Sequence, residues 1–214
     1  MLRILKEEYC LLFDFLKEKR RFWLAMAVLS IGIPILAGVL LHFTFVSNQE
    51  ASALVAQKTA ELFSSKEVLF DDAGELSAWG LFQNNILATF LTAGFGIVPF
   101  LFLSGLFLTS NLLLIGAVCA VVTSSKTYSL AAVLSLIVPH GIFELPALCL
   151  GAGCGLLLCG ALSGAVFHPQ GALLRILNAF CGTLRTMVLL ITPLLAVAAA
   201  AETYLTPFIF SLLV

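Results

Sequence analysis

The sequence predicts an all-α fold, a bundle of membrane-spanning helices that forms one membrane domain over residues 1–214. Hydrophobic residues make up 61% of the chain and charged residues only 11%, whereas ordinary soluble domains carry roughly 25% charged residues. Several apolar stretches exceed the roughly 18 residues that indicate a membrane-spanning helix. They are continuous rather than alternating, which favours helices over the strands of a membrane barrel. The net charge of −1 and the lack of a basic tract give no indication of nucleic-acid binding.

Residues 1–21 are predicted to form an amphipathic helix on the cytoplasmic surface of the membrane. Apolar residues recur there at helical spacing, and six basic side chains accompany them. Because Lys and Arg are enriched in cytoplasmic segments, this cluster places the N-terminus in the cytoplasm and directs the first span, Phe22 to Phe45, outward. The basic face serves either membrane topology alone or the docking of lipid or a partner.

Residues 47–84 are predicted to form an extracytoplasmic loop, because they contain six acidic residues and only two lysines. Within this segment, residues 51–62 have a helical pattern, and Asp71-Asp72-Ala73-Gly74 is typical of a turn. The acidic residues lack the D-x-D-x-D-G order of a calcium loop. We therefore expect solvated loop charges there rather than a cation site.

The uncharged segment 85–125 is predicted to contain the second and third membrane segments. Asn85 is expected to cap the start of the first of them, and Ser110-Asn111 is the favoured turn between the two. The remainder, Leu112 to Thr123, would be about 18 Å long at 1.5 Å per residue. That length is shorter than a hydrocarbon core of roughly 30 Å, so an earlier turn, near Ser104-Gly105, stays open as an alternative.

The C-terminal part is predicted to contain an interrupted helix. Proline breaks helices, so a broken or re-entrant element is expected at Pro139-His140. The segment around Arg175 and Arg185 contains no acidic residue and is expected to be cytoplasmic. The favoured count is about five full spans plus the broken helix. Six spans, with residues 128–148 as a complete crossing, are the alternative.

Ionisable residues are rare beyond the N-terminal third of the chain. Between Ser77 and Val214 the only carboxylates are Glu144 and Glu202, and both lie in apolar sequence. His140 precedes Glu144 by four residues, so the two side chains lie on one face of a helix. Since ionisable groups are costly in hydrocarbon and are found facing partners or water-filled cavities, His140, Glu144 and Glu202 are the candidate functional residues.

Small residues predict how these three residues meet. Glycines at helical spacing allow a second helix to approach closely. We expect a helix to pack on a stripe of such glycines, formed by Gly151, Gly155, Gly160 and Gly164. Four alanines precede Glu202, and we infer that this alanine surface packs on the glycine stripe and brings Glu202 near the other two. Asn85 and Asn111 are included as further members of the polar cluster.

Three interpretations of this cluster stay open. Two carboxylates and an imidazole are suitable ligands for a divalent metal such as Zn²⁺. The same residues are suited to relaying protons or coupling an ion to transport. The favoured interpretation is a buried hydrogen-bonding cluster that fixes helix register.

Familiar enzymatic and redox motifs are missing from the sequence, and no catalytic residue is assigned. It contains neither the H-E-x-x-H helix of zinc proteases nor the G-x-S-x-G turn of serine hydrolases. The six cysteines include no C-x-x-C pair and are interpreted as small apolar residues rather than as a disulfide framework.

The stretch Pro139-His140-Gly141-Ile142-Phe143-Glu144-Leu145-Pro146-Ala147 closely resembles the signature of the stage II sporulation protein M family. Asn85, Asn111 and Ala201-Glu202 match the same family pattern, although Leu112 stands where glycine is usual. The resemblance implies a membrane component rather than a known enzyme. In spore-forming bacteria the named member is a scaffold for cell-wall hydrolases that drive engulfment.

The resulting hypothesis is a multi-pass scaffold of the cell membrane that forms a homodimer. It would organise envelope or cell-wall-remodelling partners, including a hydrolase complex, through a bundle with a buried His/Glu cluster. A small ion-coupled transporter or channel that uses His140, Glu144 and Glu202 is the alternative. A metal-dependent intramembrane enzyme is the third possibility.

Overall fold

The computed structural model describes residues 2–64, 69, 76–124 and 130–213, and within these ranges the chain is almost wholly helical, without β-strands. A 3₁₀ turn over Phe95–Ile97 follows the fourth helix, and π-helical turns occur at Met187–Ile191 and Ala201–Leu205. The α-helices are α1 (Leu2–Glu18), α2 (Arg20–Ser47), α3 (Gln49–Ser64), α4 (Ala78–Gly94), α5 (Leu103–Ser124), α6 (Leu130–Phe167), α7 (Ala172–Thr186), α8 (Thr192–Ala200) and α9 (Thr206–Ser211).

Four helical stretches in the described part of the chain are long and apolar enough to cross a membrane. They are α2, α5, residues 134–167 of α6, and the continuous stretch 172–211 that contains α7 to α9. The predicted all-α fold is therefore confirmed. The predicted five full spans are not confirmed, because α4, with 17 residues, is only about 25 Å long. The cytoplasmic position of the N-terminus stays a prediction.

The N-terminal segment is helical, as predicted, and it packs against α7. The ring of Phe15 lies against Gly182, and Arg185 Nε donates to Glu8 Oε2 at 2.6 Å. Leu12 is buried, whereas the charged residues of α1 are mostly exposed. Only part of the apolar side of α1 lies on the bundle, because Leu5 and Phe13 are exposed, and its predicted position on the membrane surface stays a prediction.

The segment predicted as an extracytoplasmic loop, residues 47–84, is helical over much of its described length. The predicted helix at 51–62 is part of α3, and α4 begins at Ala78 with Ser77 as its cap, whose hydroxyl accepts from Gly80 N. The prediction that Asn85 caps this helix is wrong, because apolar residues from Trp79 onward already belong to it. The turn at Asp71-Asp72-Ala73-Gly74 lies outside the described residues.

The turn predicted at Ser110-Asn111 is also wrong, because α5 continues through both residues. Ser110 Oγ donates to Leu106 O, and Asn111 Nδ2 donates to Phe107 O. Both side chains therefore bond to their own helix, which is the usual solution for polar residues in apolar helices. The turn lies earlier, between α4 and α5, and Phe100 N there donates to Ser163 Oγ at 2.8 Å.

The broken or re-entrant helix predicted at Pro139-His140 is wrong as well. Helix α6 runs unbroken for 38 residues with Pro139 and Pro146 inside it. In a membrane, leaving the helix would expose several backbone groups to hydrocarbon, whereas an internal proline removes only one hydrogen bond. The prolines of the last span have a different local structure. Pro193 and Pro207 each lie two residues after the end of a π-helical turn.

Helix α6 is the centre of the bundle, with separate cores on two sides. On one side it packs with α2 and α5 around Met26, Leu112 and Cys149. On the other side it packs with α4 and α8 around Ala147, Leu195 and their neighbours. This position brings residues of α6 against the last span, where the candidate site lies.

Candidate functional site

Three ionisable residues of the predicted cluster come together where α6 meets the last span. One ligand atom from each of His140, Glu144 and Glu202 can be chosen so that all three lie within 4.8 Å of one another. His140 Nε2 is 4.0 Å from Glu144 Oε2, one helical turn away. The proximity of Glu202 that the small-residue surfaces predicted is thus observed. That the group is a functional or metal site stays a prediction.

The second imidazole nitrogen of His140 faces the last span. His140 Nδ1 is 3.4 Å from the hydroxyl oxygen Oγ1 of Thr206. Thr206 is the first residue of α9, and it is buried. When Nδ1 carries the proton and donates a hydrogen bond to Thr206 Oγ1, the lone pair of the ring is on Nε2, on the side of Glu144. Thr206 can therefore set both the ring orientation and the tautomer of His140.

The three side chains of the cluster are partly buried, and each keeps some exposed surface. The side chain of His140 is 16% exposed and that of Glu144 is 25% exposed, and Glu202 is half-buried. Two ionised carboxylates at this separation repel each other strongly in a medium of low dielectric constant. A shared proton or a cation between Glu144 and Glu202 would relieve this repulsion.

The local backbone explains how Glu202 reaches α6. Glu202 lies in the π-helical turn Ala201–Leu205, and such turns are rare and recur at functional sites. The turn precedes Pro207, whose ring cannot donate a backbone hydrogen bond and crowds the carbonyl four residues earlier. Thr203, in the same turn, has a buried hydroxyl without a hydrogen-bond partner among the described residues.

The two asparagines predicted as members of the cluster lie on two other helices of the bundle. Asn85 is on α4, and its side-chain oxygen accepts from Asn84 Nδ2 at 3.0 Å. Asn111 is on α5 with an exposed side chain that donates within its own helix. These hydrogen bonds do not involve His140, Glu144 or Glu202, and the membership of both asparagines in the polar cluster stays a prediction.

The predicted glycine stripe packs against different partners than expected. Gly151 and Gly155 do mark close approaches, but they face Thr89 on α4, and Ala93 and Ser104 on α4 and α5. The inference that these glycines pack on the alanines before Glu202 is therefore wrong.

On the α6 side, the contact with the last span includes a small residue outside the predicted stripe, Ala147. Ala147 lies in one buried cluster with Ile191 and Leu195, and Ala199 packs with Leu81 of α4. A Cβ added at Gly160 or Gly164 would meet nothing within 4 Å among the described residues. These two glycines therefore do not mark contacts with other helices in the described part of the chain.

The site contains one residue that sequence reasoning missed, Thr206. The signal was available, because Thr206 follows Glu202 by four residues and helical spacing predicts the same face. Across α6 from the cluster lies an apolar groove of about 470 Å³, lined by residues such as Trp23, Ile31 and Ile142. Because Ile142 and His140 are about 200° apart on the helix at 3.6 residues per turn, the groove and the cluster occupy different faces.

Comparison with known proteins places the chain in a family. The family described as Stage II sporulation protein M matches residues 27–207. Neither a curated protein nor a solved structure gives a match. The matched range begins within α2, ends within α9, and includes His140, Glu144 and Glu202. Since it covers most of the chain, the protein belongs to the stage II sporulation protein M family.

Proposed function

We propose that this protein is a multi-pass scaffold of the cell membrane that organises envelope or cell-wall-remodelling partners. The observation that carries the proposal is the unbroken helix α6, to which α2, α4, α5 and the last span are all packed. A scaffold needs a frame that keeps its shape while partners come and go. A central helix packed on several sides supplies such a frame.

The packing along α6 supports a rigid frame. Ala152, Cys154 and Cys159 are fully buried, and the backbone of Gly155 lies against Ser104 and Ala93. Interiors packed at this density respond to applied strain as a unit rather than by local deformation.

A surface suited to partners is formed by α1 and α7, which we call the α1–α7 layer. Arg185 bonds to Glu8, and Tyr9 Oη donates to Leu189 O at 3.4 Å. The layer also exposes the basic side chains of α1 together with Leu173 and Leu177 on α7. We propose that the cytoplasmic segments of membrane-anchored envelope partners dock here.

The scaffold proposal is tested by recovering partners from membranes of the native host after mild solubilisation. We expect wild-type protein to retain an envelope or cell-wall-acting protein, and Arg185→Gln to recover less of it because the docking of α1 on α7 is weakened. Lys58→Gln is the control, since Lys58 is an exposed residue that pairs with Glu61 on α3, outside the α1–α7 layer. If wild type recovers no more protein than an unrelated multi-span protein does, the scaffold proposal fails.

A second candidate function, ion-coupled transport, is favoured by the pair of carboxylates inside apolar helices at the His140 site. Ion-coupled carriers use such residues to bind and release ions. Proteoliposome flux tests this candidate: Glu144→Gln and Glu202→Gln should abolish a flux that wild type and Glu18→Gln both show. Equal flux in all four proteins, or none in wild type, excludes it.

Homodimerisation stays a prediction. Gly160 is exposed and unoccupied by other parts of the described chain, which is compatible with a second copy at this position. Crosslinking of Gly160→Cys in native membranes should give a disulfide-linked dimer if two copies of α6 meet there, with exposed Gly32→Cys on α2 as the control.

A further inference from the structure

We infer that His140, Glu144 and Glu202 bind a divalent transition-metal cation, with Zn²⁺ as the representative, and that this cation ties α6 to the last span. The site goes beyond the proposed scaffold function, which does not depend on it. The three residues come from two separate stretches of chain, α6 and the π-helical turn Ala201–Leu205. A cation held by all three would cross-link these two stretches.

The distances are close to those of a metal site. Zn²⁺ bonds histidine nitrogen and carboxylate oxygen at roughly 2.0–2.2 Å, so tetrahedral ligand atoms lie about 3.3–3.6 Å apart. The corresponding atoms here are all within 4.8 Å, and His140 Nε2 and Glu144 Oε2 are 4.0 Å apart. The difference is about an ångström, which rotation of a glutamate side chain covers without moving either helix.

The charges match a divalent ion. Glu144 and Glu202 together carry a charge of about −2 when ionised, and neutral His140 adds a donor without charge. A divalent cation cancels that charge, which matters because uncompensated charge is very costly in an apolar interior. A monovalent cation would leave one negative charge in the bundle.

The ligand types select among divalent ions. Mg²⁺ and Ca²⁺ prefer oxygen ligands only, whereas an imidazole nitrogen suits zinc and other transition ions. Three protein ligands leave a fourth tetrahedral position for water or another ligand. The cysteines of the bundle do not belong to the group, so thiolate ligands are not expected.

The surroundings of the ligands are those of a prepared site. Thr206 Oγ1 lies 3.4 Å from His140 Nδ1, and a hydrogen bond to the non-ligating nitrogen is the usual support for a metal-bound histidine. Ala147, three residues after Glu144 on α6, is fully buried in a cluster with Ile191 and Leu195 of the last span. This packing holds the two stretches together independently of the charge of the glutamates.

Metal binding to purified full-length protein in detergent tests the inference. Wild type prepared without chelator and dialysed against Zn²⁺ should bind one tightly held Zn²⁺ per chain, and Glu144→Gln and Glu202→Gln should each weaken binding by at least tenfold. Glu50→Gln, on α3, is the matched carboxylate control and should bind like wild type. Excess Mg²⁺ should not displace the ion.

Cobalt(II) provides a readout in the wild-type protein that does not depend on any variant folding. Bound Co²⁺ should give the visible absorption of a tetrahedral site with nitrogen and oxygen ligands, without the near-ultraviolet charge-transfer band of a thiolate ligand. Loss of the visible bands in Glu202→Gln, with the helical circular dichroism unchanged, supports the assignment.

Three results overturn the inference. They are no Zn²⁺ above trace in wild type, equal affinity in wild type and both glutamine variants, and a Co²⁺ spectrum with thiolate bands. The first result leaves a shared proton or hydrogen bonds as the link between Glu144 and Glu202. None of these results bears on partner recovery, so the scaffold proposal fails or survives separately.

Discussion

One face of α6 is packed in two different ways along its length. In the half that contains Gly151 and Gly155, backbones approach so closely that a Cβ on Gly155 would lie 2.8 Å from Ser104 Cβ. In the half that contains His140 and Glu144, the contacts with the last span run between side chains, at 3.4 Å to Thr206. The glycine half is held by shape and the His–Glu half by polar groups.

This comparison indicates which half of α6 can change its side-chain conformation, protonation or bound ion. Close backbone packing has no adjustable element, because each atom touches others over its whole surface. Polar side chains on a rigid backbone can rotate, exchange protons or take up an ion while the helices stay in place. We therefore expect substitutions to affect folding in the glycine half and binding in the His–Glu half.

The largest expected effect is from Gly155→Ala. The added methyl group would lie 2.9 Å from Ala93 O as well as against Ser104, so α4 and α5 would have to move away from α6. Overpacking of this kind costs about 1–3 kcal/mol. Unfolding in mixed detergent, followed by circular dichroism, measures the change.

Gly164→Ala is the control for this prediction, because a Cβ there meets no described atom within 4 Å. It should leave stability unchanged or raise it slightly through the unfolded chain. Equal destabilisation by both substitutions would show that helix contacts do not explain the glycines of α6.

A smaller effect is expected from Thr206→Val in the His–Glu half. The substitution keeps the shape and removes the hydroxyl that faces His140 Nδ1, and a net loss of about 1 kcal/mol is typical of one hydrogen bond. It should also weaken Zn²⁺ binding, because the imidazole ring loses its orientation. Chemical unfolding and zinc titration of the same preparation measure both changes.

Thr203→Val is the matched control for Thr206→Val. Thr203 lies in the preceding π-helical turn, and its buried hydroxyl has no hydrogen-bond partner among the described residues. Removing that hydroxyl should leave stability unchanged or increase it. A loss in Thr203→Val as large as in Thr206→Val would mean that the hydrogen bond to His140 has no special role.

The smallest expected effect lies at the edge of the bundle. Arg185→Gln breaks the bond to Glu8, which is partly exposed, so the expected loss is at most about 1 kcal/mol. The change should be local: amide hydrogen exchange should increase in α1 while α6 stays protected. Increased exchange throughout the bundle would show that α1 is part of the rigid frame rather than a layer on it.

Local patterns in the sequence were sufficient for part of the site. The spacing of His140 and Glu144 places them on one helical face whatever surrounds the helix, and the amphipathic pattern of residues 1–21 predicted α1. The turn at Ser110-Asn111 was predicted wrongly because two polar residues in an apolar stretch suggest a break. In the structure their side chains bond to their own helix instead, and Gly94, Gly96 and Pro99 mark the turn.

The sequence by itself determined the all-α class, the family and the three ionisable residues, because composition, motif and helical spacing are properties of the chain alone. Only the tertiary structure decided that α6 continues without a break at Pro139, that Gly151 and Gly155 face α4 and α5, and that Thr206 belongs to the site. The reason is that a proline's cost and a glycine's partner depend on the neighbouring helices. Their arrangement cannot be read from any one segment.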